Sequence, residues 1–321
     1  MSWIALVLTL LLEQARPMPS GNPVYMAVWS LAETAERHLN AGRRRHGLYA
    51  WIAFVLGCAL LAGIAYALLL SIAWVAALIF NVVVLYFTLG FRQFSHHYTE
   101  IQAALNAGDL AAARRQLTEW KRSRDPTFDA TEMEAPELIR QAIEHGLVLA
   151  HRHVFGVLFW FVLLPGPIGP VIYRLAEYVA RAWNRPTVDG LPADRFGDFA
   201  RRAFAWIDWL PARLTALGFA IVGDFEGTIY CWRRVSRAPA EDGPGGPDTR
   251  TLVLAAASGA LGTRVMNTAE AARYLDEAGN EGAGLIEPSM STLRSVVGLV
   301  WRALVLWLLL LLLLTLVAWF A

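Results

Sequence analysis

The sequence predicts an all-α fold: a polytopic integral membrane protein with a broken or re-entrant helix and helical segments in the cytoplasm. Residues 48–91 form a run of forty-four residues without a charged side chain. A single helical crossing needs roughly 20 apolar residues, so this run predicts a transmembrane hairpin with a turn near Ser71. Residues 303–321 are also uncharged and predict a C-terminal crossing. Because 17% of the residues are charged, polar segments must alternate with the membrane helices.

The first twelve residues are apolar, but no basic residue precedes the apolar run and no signal-peptide cleavage site follows it. We therefore expect a retained helix rather than a signal peptide. Twelve residues rise about 18 Å as a helix, which is less than the ~30 Å hydrocarbon core. The segment predicts a tilted or half-inserted helix that leads into a polar connector.

Basic residues flank the hairpin on both sides, at Arg43–Arg45 and at Arg92. Positive charge near the ends of membrane helices favours the cytoplasmic side. We therefore expect residues 14–47 and 92–152 to be cytoplasmic in a multi-pass protein of the bacterial inner membrane. Apolar residues recur at helical spacing in the second of these segments, which predicts amphipathic helices there.

The next charge-free segment, 154–172, contains three prolines within 165–170. A continuous helix does not tolerate them, because each proline removes a backbone donor. The segment predicts a broken helix or a re-entrant hairpin whose exposed backbone faces protein or water. A simple crossing with a kink is the alternative.

Two ionisable residues interrupt the apolar stretch 203–222: Asp208 and Arg213, with Pro211 between them. Charged residues at membrane depth are costly and usually face an interior or a water-filled cavity. A kink at Pro211 would bring the two side chains together. The alternative is an interfacial helix whose charged residues lie at the level of the headgroups.

These patterns divide the chain into six segments. They are an N-terminal apolar helix with a cytoplasmic connector (1–47), the hairpin (48–91), a cytoplasmic helical segment (92–152), a second membrane region with the broken helix (153–235), a polar loop with short helices (236–293) and a C-terminal transmembrane helix (294–321). The number of full crossings is four or five.

Composition and motifs exclude several classes of function. The net charge of +1 and the absence of a separate basic face argue against a nucleic-acid partner. The two cysteines, Cys58 and Cys231, do not predict a disulfide framework or a metal site. No phosphate-binding loop, dinucleotide fingerprint or zinc-protease motif is present. The lipid bilayer is the expected partner, and another membrane protein remains open.

A series of short motifs follows in a fixed order after an apolar start that ends in an acid, Glu13. The series is Ser123-Arg124-Asp125, Arg140 with Glu144, Leu158-Phe159-Trp160, Tyr173-Arg174, Leu210-Pro211-Ala212-Arg213-Leu214 and Gly259-Ala260-Leu261-Gly262. This order resembles the CobD/CbiB family of membrane adenosylcobinamide-phosphate synthases and its relative AmpE, the modulator of β-lactamase induction. The resemblance covers nearly the whole chain.

The resemblance implies an activity that joins an aminopropanol group, or its phosphate, to a corrinoid carboxylate with ATP and magnesium. Under that interpretation the candidate catalytic residues are Arg124, Asp125, Arg140, Glu144 and Arg213. A corrinoid is then the substrate, and ATP and Mg²⁺ are the cofactors.

Several polar elements of the synthases are replaced in this sequence. The E-N-T-x-D element corresponds to 148–152, which reads Val-Leu-Ala-His-Arg, and the later N-T-x-D element corresponds to 177–180. The A-R-x-D-D element reads Arg-Arg-Ala-Phe-Ala at 201–205, so both of its acids are absent. Mg²⁺ prefers carboxylate oxygens. The replacements therefore predict that the synthase chemistry is not intact.

The remaining motifs are those of a membrane scaffold: Glu13, Leu158, Phe159, Trp160, Pro211, Gly259 and Gly262. The stretch Asp208–Leu214 resembles the AmpE-like branch of the family. The favoured hypothesis is therefore a non-catalytic, AmpE-like regulatory or envelope-associated membrane protein that needs no cofactor or metal. The alternatives are a diverged synthase of cobalamin biosynthesis and, on the broken helix and Asp208 alone, a transporter.

Overall fold

A computed structural model of the chain describes residues 2–15, 22–40, 43–122, 124–125, 127–184, 195–237, 248–275 and 284–320. These residues are predominantly helical and form no strand; an isolated bridge joins Thr263 and Ile286. Four helical runs are long and apolar enough to cross a membrane: Arg44–Ile72, Ala135–Leu163, Asp198–Val222 and Met290–Val317. The predicted all-α membrane fold is confirmed.

The chain forms two compact units, each made of segments that are distant in sequence. The first unit comprises Met1–Arg92 and Arg152–Pro211, and the second comprises Gln93–His151 and Ala212–Ala321. Two borders of the predicted segments, after residues 91 and 152, fall within one residue of these unit borders. The assignment of the six segments to membrane and cytoplasm stays a prediction.

The N-terminal part of the first unit contains five helices. They are α1 (Ser2–Ala15), α2 (Pro23–Leu39), α3 (Arg44–Trp51), which continues through a π-helical turn at Ile52–Leu56 into α4 (Gly57–Ile72), and α5 (Trp74–Thr88). The predicted hairpin turn lies at Ala73, whose backbone is extended. Helices α3 and α4 form one apolar helical run, and only 11% of its most apolar stretch of 18 residues is buried. Low burial of this kind is expected for a surface that faces lipid.

The polar connector contains a helix that the sequence analysis did not predict. Asn22 caps α2, because its side-chain oxygen accepts a hydrogen bond from the Val24 amide at 2.9 Å. Pro23 follows at the first helical position, where a missing backbone donor has no cost. Both start signals were present in the sequence.

The predicted break in the helix is confirmed, whereas the alternative of a simple crossing with a kink concerns the position of the bilayer and stays untested. Helix α9 (Gly156–Leu163) ends before the prolines, and α10 (Ile168–Ala182) begins after them. Gly166 in the break has a φ of +62°, a conformation that favours glycine. The π-helical turn His151–Phe155 precedes α9 and joins it to α8.

The second unit contains the helices α6 (Phe91–Asn106), α7 (Leu110–Arg122), α8 (Ala135–Ala150), α12 (Phe225–Arg237), α13 (Thr249–Leu261), α14 (Thr268–Tyr274) and α15 (Met290–Phe320), while α11 (Asp198–Val222) runs from the first unit into it. The short helix predicted near 252–262 is α13, which ends at Gly262 with a φ of +61°. Helix α15 begins well before the predicted uncharged stretch, because it also includes Arg294 and Arg302.

Candidate functional site

Five charged side chains on three helices of the second unit form what we name the Glu144 cluster. Its members are Glu137, Arg140 and Glu144 on α8, Arg250 on α13 and Glu270 on α14. Residues three and four apart lie on one face of a helix, so the α8 members point the same way. The cluster therefore follows from helical spacing on α8 and from the packing of α13 beside it.

Acids and bases alternate through the Glu144 cluster. The two carboxylate oxygens of Glu144 pair with different arginines: Oε2 with Arg140 Nη1 at 3.4 Å, and Oε1 with Arg250 Nη2. Arg250 Nη1 also pairs with Glu270 at 2.8 Å, and Arg140 Nε donates to Glu137 at 2.8 Å. Charge-assisted hydrogen bonds of this kind are stronger than neutral ones. The network ties three helices together.

Arg250 is the charged residue of an otherwise buried helix. From Thr249 to Gly259, every α13 residue except Arg250 is buried. Burial disfavours its charged form, but the Glu144 and Glu270 carboxylates raise the pKa of Arg250 above its ordinary value. Its side chain remains 26% exposed. The cluster thus has a buried centre at Glu144 and a rim that reaches solvent.

The only lysine of the chain, Lys121 on α7, adjoins this rim. Its Nζ donates to the Gln141 side-chain oxygen at 2.5 Å and lies 4.2 Å from the centroid of the Phe128 ring. Burial lowers the pKa of the Lys121 ammonium, although the nearby Glu144 carboxylate acts in the opposite direction. An ammonium has three donors, so Lys121 can also bind an oxygen ligand from outside.

A second group of charged residues lies in the first unit, and we name it the Glu177 cluster. Glu177 on α10 is 2% exposed. Its carboxylate pairs with Arg174 at 3.3 Å and with Arg152 at 3.8 Å. Arg174 also donates to the Tyr25 hydroxyl on α2, and the Arg152 guanidinium lies 5.5 Å from the centroid of the Phe204 ring. The two arginines that pair with Glu177 thus have a hydroxyl and an aromatic ring as further partners.

Asp208 is fully buried beside this cluster. Its Oδ1 accepts a hydrogen bond from the Tyr173 hydroxyl at 2.7 Å, and the Tyr173 ring contacts Phe204 with a centroid distance of 5.7 Å. Gly156 makes room for the tyrosine, since a Cβ there would lie 2.2 Å from the Tyr173 ring. The expected interior position of Asp208 therefore has a specific partner on α10.

The five candidate catalytic residues all belong to the second unit and differ in burial and partners. Arg140 and Glu144 lie in the Glu144 cluster, whereas Asp125 is exposed and accepts hydrogen bonds from the Thr127 amide and hydroxyl in a local turn. Arg124 and Arg213 are half-buried. Asp208 and Arg213 belong to different units, and their coupling stays a prediction. Pro211 lies inside the continuous helix α11.

The scaffold residues named by resemblance take structural positions. Glu13, Leu158 and Pro211 are buried, and Phe159 and Trp160 are half-buried, with the Trp160 ring nitrogen donating to the Ile207 carbonyl at 3.2 Å. Gly259 lets α12 and α13 approach, because a Cβ there would lie 2.2 Å from the Gly227 carbonyl oxygen. Gly262 ends α13 in the left-handed conformation.

Five residues in or beside the two clusters were not predicted to belong to a site: Glu137, Arg250, Glu270, Lys121 and Arg152. The spacing of Glu137, Arg140 and Glu144 on one helical face was a usable signal. Arg250 stood out as a charge beside a run of small apolar residues. Nothing in the sequence indicated that Glu270 on α14 would pair with it, because twenty residues and a turn separate the two.

Comparisons with known proteins place these features in a family. The family described as CobD/Cbib protein matches residues 3–300. The chain is 32% identical over 315 residues to the "Cobalamin biosynthesis protein CobD" of Stutzerimonas stutzeri, covering 97% of each chain. It is 36% identical over 186 residues to the protein of the same name from Chromobacterium violaceum, covering 58% of this chain and 54% of the relative.

A more distant relative with that name, from Leptospira interrogans, is 25% identical over 196 residues, or 59% of this chain and 56% of the relative. No solved structure matches the chain. Together with the four helices that are long and apolar enough to cross a bilayer, the match over nearly the full length shows that this chain is a membrane protein of the CobD/CbiB family.

Proposed function

We propose that this chain serves cobalamin biosynthesis by binding a corrinoid carboxylic acid at the bacterial inner membrane. The observation that carries the proposal is its similarity, over 97% of both chains, to a relative named for that pathway. The similarity spans both ionic clusters, since the family match covers residues 3–300. Among the hypotheses of the sequence analysis, the names of the relatives favour a role in cobalamin biosynthesis over a regulatory one.

The rim of the Glu144 cluster suits an anionic ligand. Lys121 has donors left after its bond to Gln141, and Arg250 lies 26% exposed beside it. A lysine ammonium binds carboxylate or phosphate oxygen as a compact point charge. Within this proposal, Lys121 contacts the ligand carboxylate, and Glu144 holds Arg250 in position behind it.

Magnesium, which the family resemblance implies, does not fit the residues present. The last acid of the E-N-T-x-D element corresponds to Arg152, and the first acid of the D-D pair corresponds to Phe204. In this structure the Arg152 guanidinium lies over the Phe204 ring, the Glu177 carboxylate pairs with two arginines, and the Asp208 carboxylate accepts a hydrogen bond from Tyr173. A guanidinium repels a divalent cation and offers it no lone pair.

Metal donors are also scarce elsewhere in the part of the chain that the structure describes. There, no group of three or more His, Cys, Asp and Glu side chains is arranged to hold an ion. Each carboxylate of the Glu144 cluster pairs with an arginine. Within this proposal the chain binds a corrinoid acid, and the replacement of acids by Arg152 and Phe204 is the reason to expect no ATP- and Mg²⁺-dependent amide formation.

Corrinoid binding is tested on the purified protein in lipid nanodiscs. The ligands are a corrinoid with a free carboxylate and the same corrinoid with that carboxylate amidated, followed by their visible absorption. We expect the acid to bind more tightly, and Lys121→Gln to weaken its binding about tenfold. Lys121→Arg, which keeps the charge, and Arg115→Gln, an exposed arginine on the same helix, serve as controls. Equal binding of acid and amide would contradict the proposal.

Amide-forming activity is tested separately, by complementation of a cell that lacks its own synthase. Because Arg152 and Phe204 stand at acid positions, we expect no restoration of corrinoid-dependent growth, even where the protein is inserted in the membrane. Growth that is restored by the wild type and abolished by Glu144→Gln would instead support the diverged synthase.

A second candidate is the non-catalytic, AmpE-like role in envelope-linked regulation, with another membrane protein as partner. The observation that favours it is the replacement of acids by Arg152 and Phe204 and their direct contact, which closes the Glu177 cluster upon itself. Failure of a folded wild-type protein to bind any corrinoid would favour this role over the first.

A further inference from the structure

Helix α2 and the arginines that follow it form an exposed surface that the corrinoid proposal does not use. We define this surface by the apolar residues Val24, Met26, Trp29 and Leu31 and by Arg43, Arg44 and Arg45. The four apolar side chains are between 42% and 57% exposed, and the three arginines are exposed as well. All of these residues belong to the first unit.

The apolar side of α2 is wider than the part that the protein covers. Its middle is anchored, because the Trp183 ring nitrogen donates to the Ala32 carbonyl at 3.3 Å and Arg174 donates to the Tyr25 hydroxyl. Met26 and Trp29 lie on one flank of this anchored line, and Val24 and Leu31 lie on the other. The opposite side carries Ser30, Thr34 and Arg37. Such a helix matches the interface of a bilayer, with its flanks towards the acyl chains.

The arginines lie where this interface begins. Arg44 is the first residue of the helical run Arg44–Ile72, which is long and apolar enough to cross a membrane. A basic group at the end of a crossing lies at the depth of the lipid headgroups. The exposed Trp29 on the preceding helix is a residue type enriched at that same depth. The two parts of the surface thus face one lipid layer.

The positive charge of the three arginines is not consumed within the protein. None of them forms an ion pair with any residue that the structure describes. The backbone that carries them is held firmly: a Cβ at Gly47 would lie 1.9 Å from the Phe196 carbonyl oxygen, and Trp51 contacts Phe199 edge to face. Three guanidinium groups carried by one held segment of backbone attract anionic headgroups.

We propose that α2 and Arg43–Arg45 form a binding surface for the headgroups of anionic phospholipids. The guanidinium groups contact the lipid phosphates, and Trp29, Met26 and Leu31 contact the upper acyl chains. A general preference for a cytoplasmic location would require only positive charge near the helix end. The surface proposed here binds anionic lipids in preference to zwitterionic ones.

The test is native mass spectrometry of the full-length protein in detergent, titrated with phosphatidylglycerol or phosphatidylcholine of the same acyl chains. We expect the wild type to bind phosphatidylglycerol more tightly. Each basic residue near an anionic surface changes affinity about fivefold, so R43Q/R44Q/R45Q should lose most of the preference. R43K/R44K/R45K should keep it, because the charge is retained.

Two control variants separate this surface from general charge and hydrophobicity. R115Q/R233Q/R237Q removes three other exposed arginines and should leave the preference intact. M26S/W29S should weaken the binding of both lipids by the same factor. A thermal melt of each variant reports whether it is folded. Equal binding of the two lipids by the wild type, or equal loss in the control triple variant, would overturn the proposal; equal binding would point to an acidic segment of a partner protein.

Discussion

The Glu144 cluster and the Glu177 cluster contain similar ionic groups but differ in how these groups are balanced. In the Glu144 cluster, acids and bases alternate across α8, α13 and α14, and the Arg250 and Glu270 side chains remain 26% and 25% exposed. In the Glu177 cluster, one carboxylate that is 2% exposed pairs with Arg152 and Arg174, which in turn contact the Phe204 ring and the Tyr25 hydroxyl. The first cluster has a rim that a ligand can reach, whereas the central carboxylate of the second is almost fully buried.

This difference shows two ways in which charged side chains are accommodated between the helices of one membrane protein. Buried charges are tolerated when every group has partners. In the Glu177 cluster the two carboxylate oxygens of Glu177 each lie within ion-pair distance of an arginine, at 3.3 Å from Arg174 and 3.8 Å from Arg152. In the Glu144 cluster, the buried central carboxylate has partners within the protein, whereas the partly exposed rim can also bind water or a ligand.

The largest expected effect is on stability, from Glu177→Ala. Removing this carboxylate leaves the half-buried Arg152 and Arg174 without their acid, which should lower the free energy of unfolding by about 3–5 kcal/mol. Thermal melting in detergent measures the loss. The control is Glu33→Ala, which removes an exposed pair with Arg37 and should cost about 0–1 kcal/mol. Similar losses of stability in both variants would show that Arg152 and Arg174 do not depend on the Glu177 carboxylate.

Glu144→Gln should have a smaller effect, of about 1.5–3 kcal/mol. Arg140 keeps Glu137 and Arg250 keeps Glu270 after this change, so neither base loses all its acidic partners. The same melting experiment tests it. A loss greater than that of Glu177→Ala would reverse the comparison between the clusters.

Tyr173→Phe should cost about 1–2 kcal/mol. It removes the hydroxyl that donates to Asp208 at 2.7 Å and preserves the ring that fills the space beside Gly156. The matched control is Tyr230→Phe, because the Tyr230 hydroxyl also bonds to a charged residue, Arg234, but is exposed. If both variants have the melting temperature of the wild type, the hydrogen bond from Tyr173 to Asp208 does not contribute to stability.

The smallest expected effect concerns pH. The pKa of Lys121 is lowered from its ordinary value of 10.5, first by burial, so the unfolded chain binds more protons between the two values. Stability should therefore rise with pH through that window, and Lys121→Gln should remove the rise. Since Lys121 is the only lysine, amine-reactive labelling read by mass spectrometry reports its titration directly.

Labelling also connects the titration to the cluster. The Glu144 carboxylate raises the pKa of Lys121 against the effect of burial. Glu144→Gln should therefore shift half-maximal labelling to lower pH. A shift to higher pH, or an ordinary midpoint in the wild type, would show that Lys121 is solvated and outside the cluster.

Much of the fold was predictable because the signals are local. The charge-free run 48–91 indicated a hairpin, and the structure turns at Ala73, close to Ser71. The prolines of 165–170 indicated a break, and α9 and α10 lie on its two sides. Helix α2 was not predicted, although Asn22 and Pro23 form a standard helix start.

The candidate sites were less predictable because they depend on pairs that are distant in sequence. Arg140 and Glu144 could be named from one helix, but their partner Arg250 lies 106 residues from Glu144 along the chain. Asp208 was expected to face an interior, but its donor, Tyr173, lies 35 residues away on another helix. Spacing along a helix fixes which side chains share a face, and it does not fix which helix comes to lie opposite.

The sequence by itself therefore determined that this is an all-α membrane protein, where its apolar helices run and where proline interrupts them. Those features depend on hydrophobic length and on backbone donors, which neighbouring residues define. Only the tertiary structure decided that Arg152 lies over Phe204 and that Glu144 is shared between two arginines. Such contacts depend on close approach between helices that are distant in the chain, of the kind seen where Gly156 faces Tyr173 and Gly259 faces Gly227.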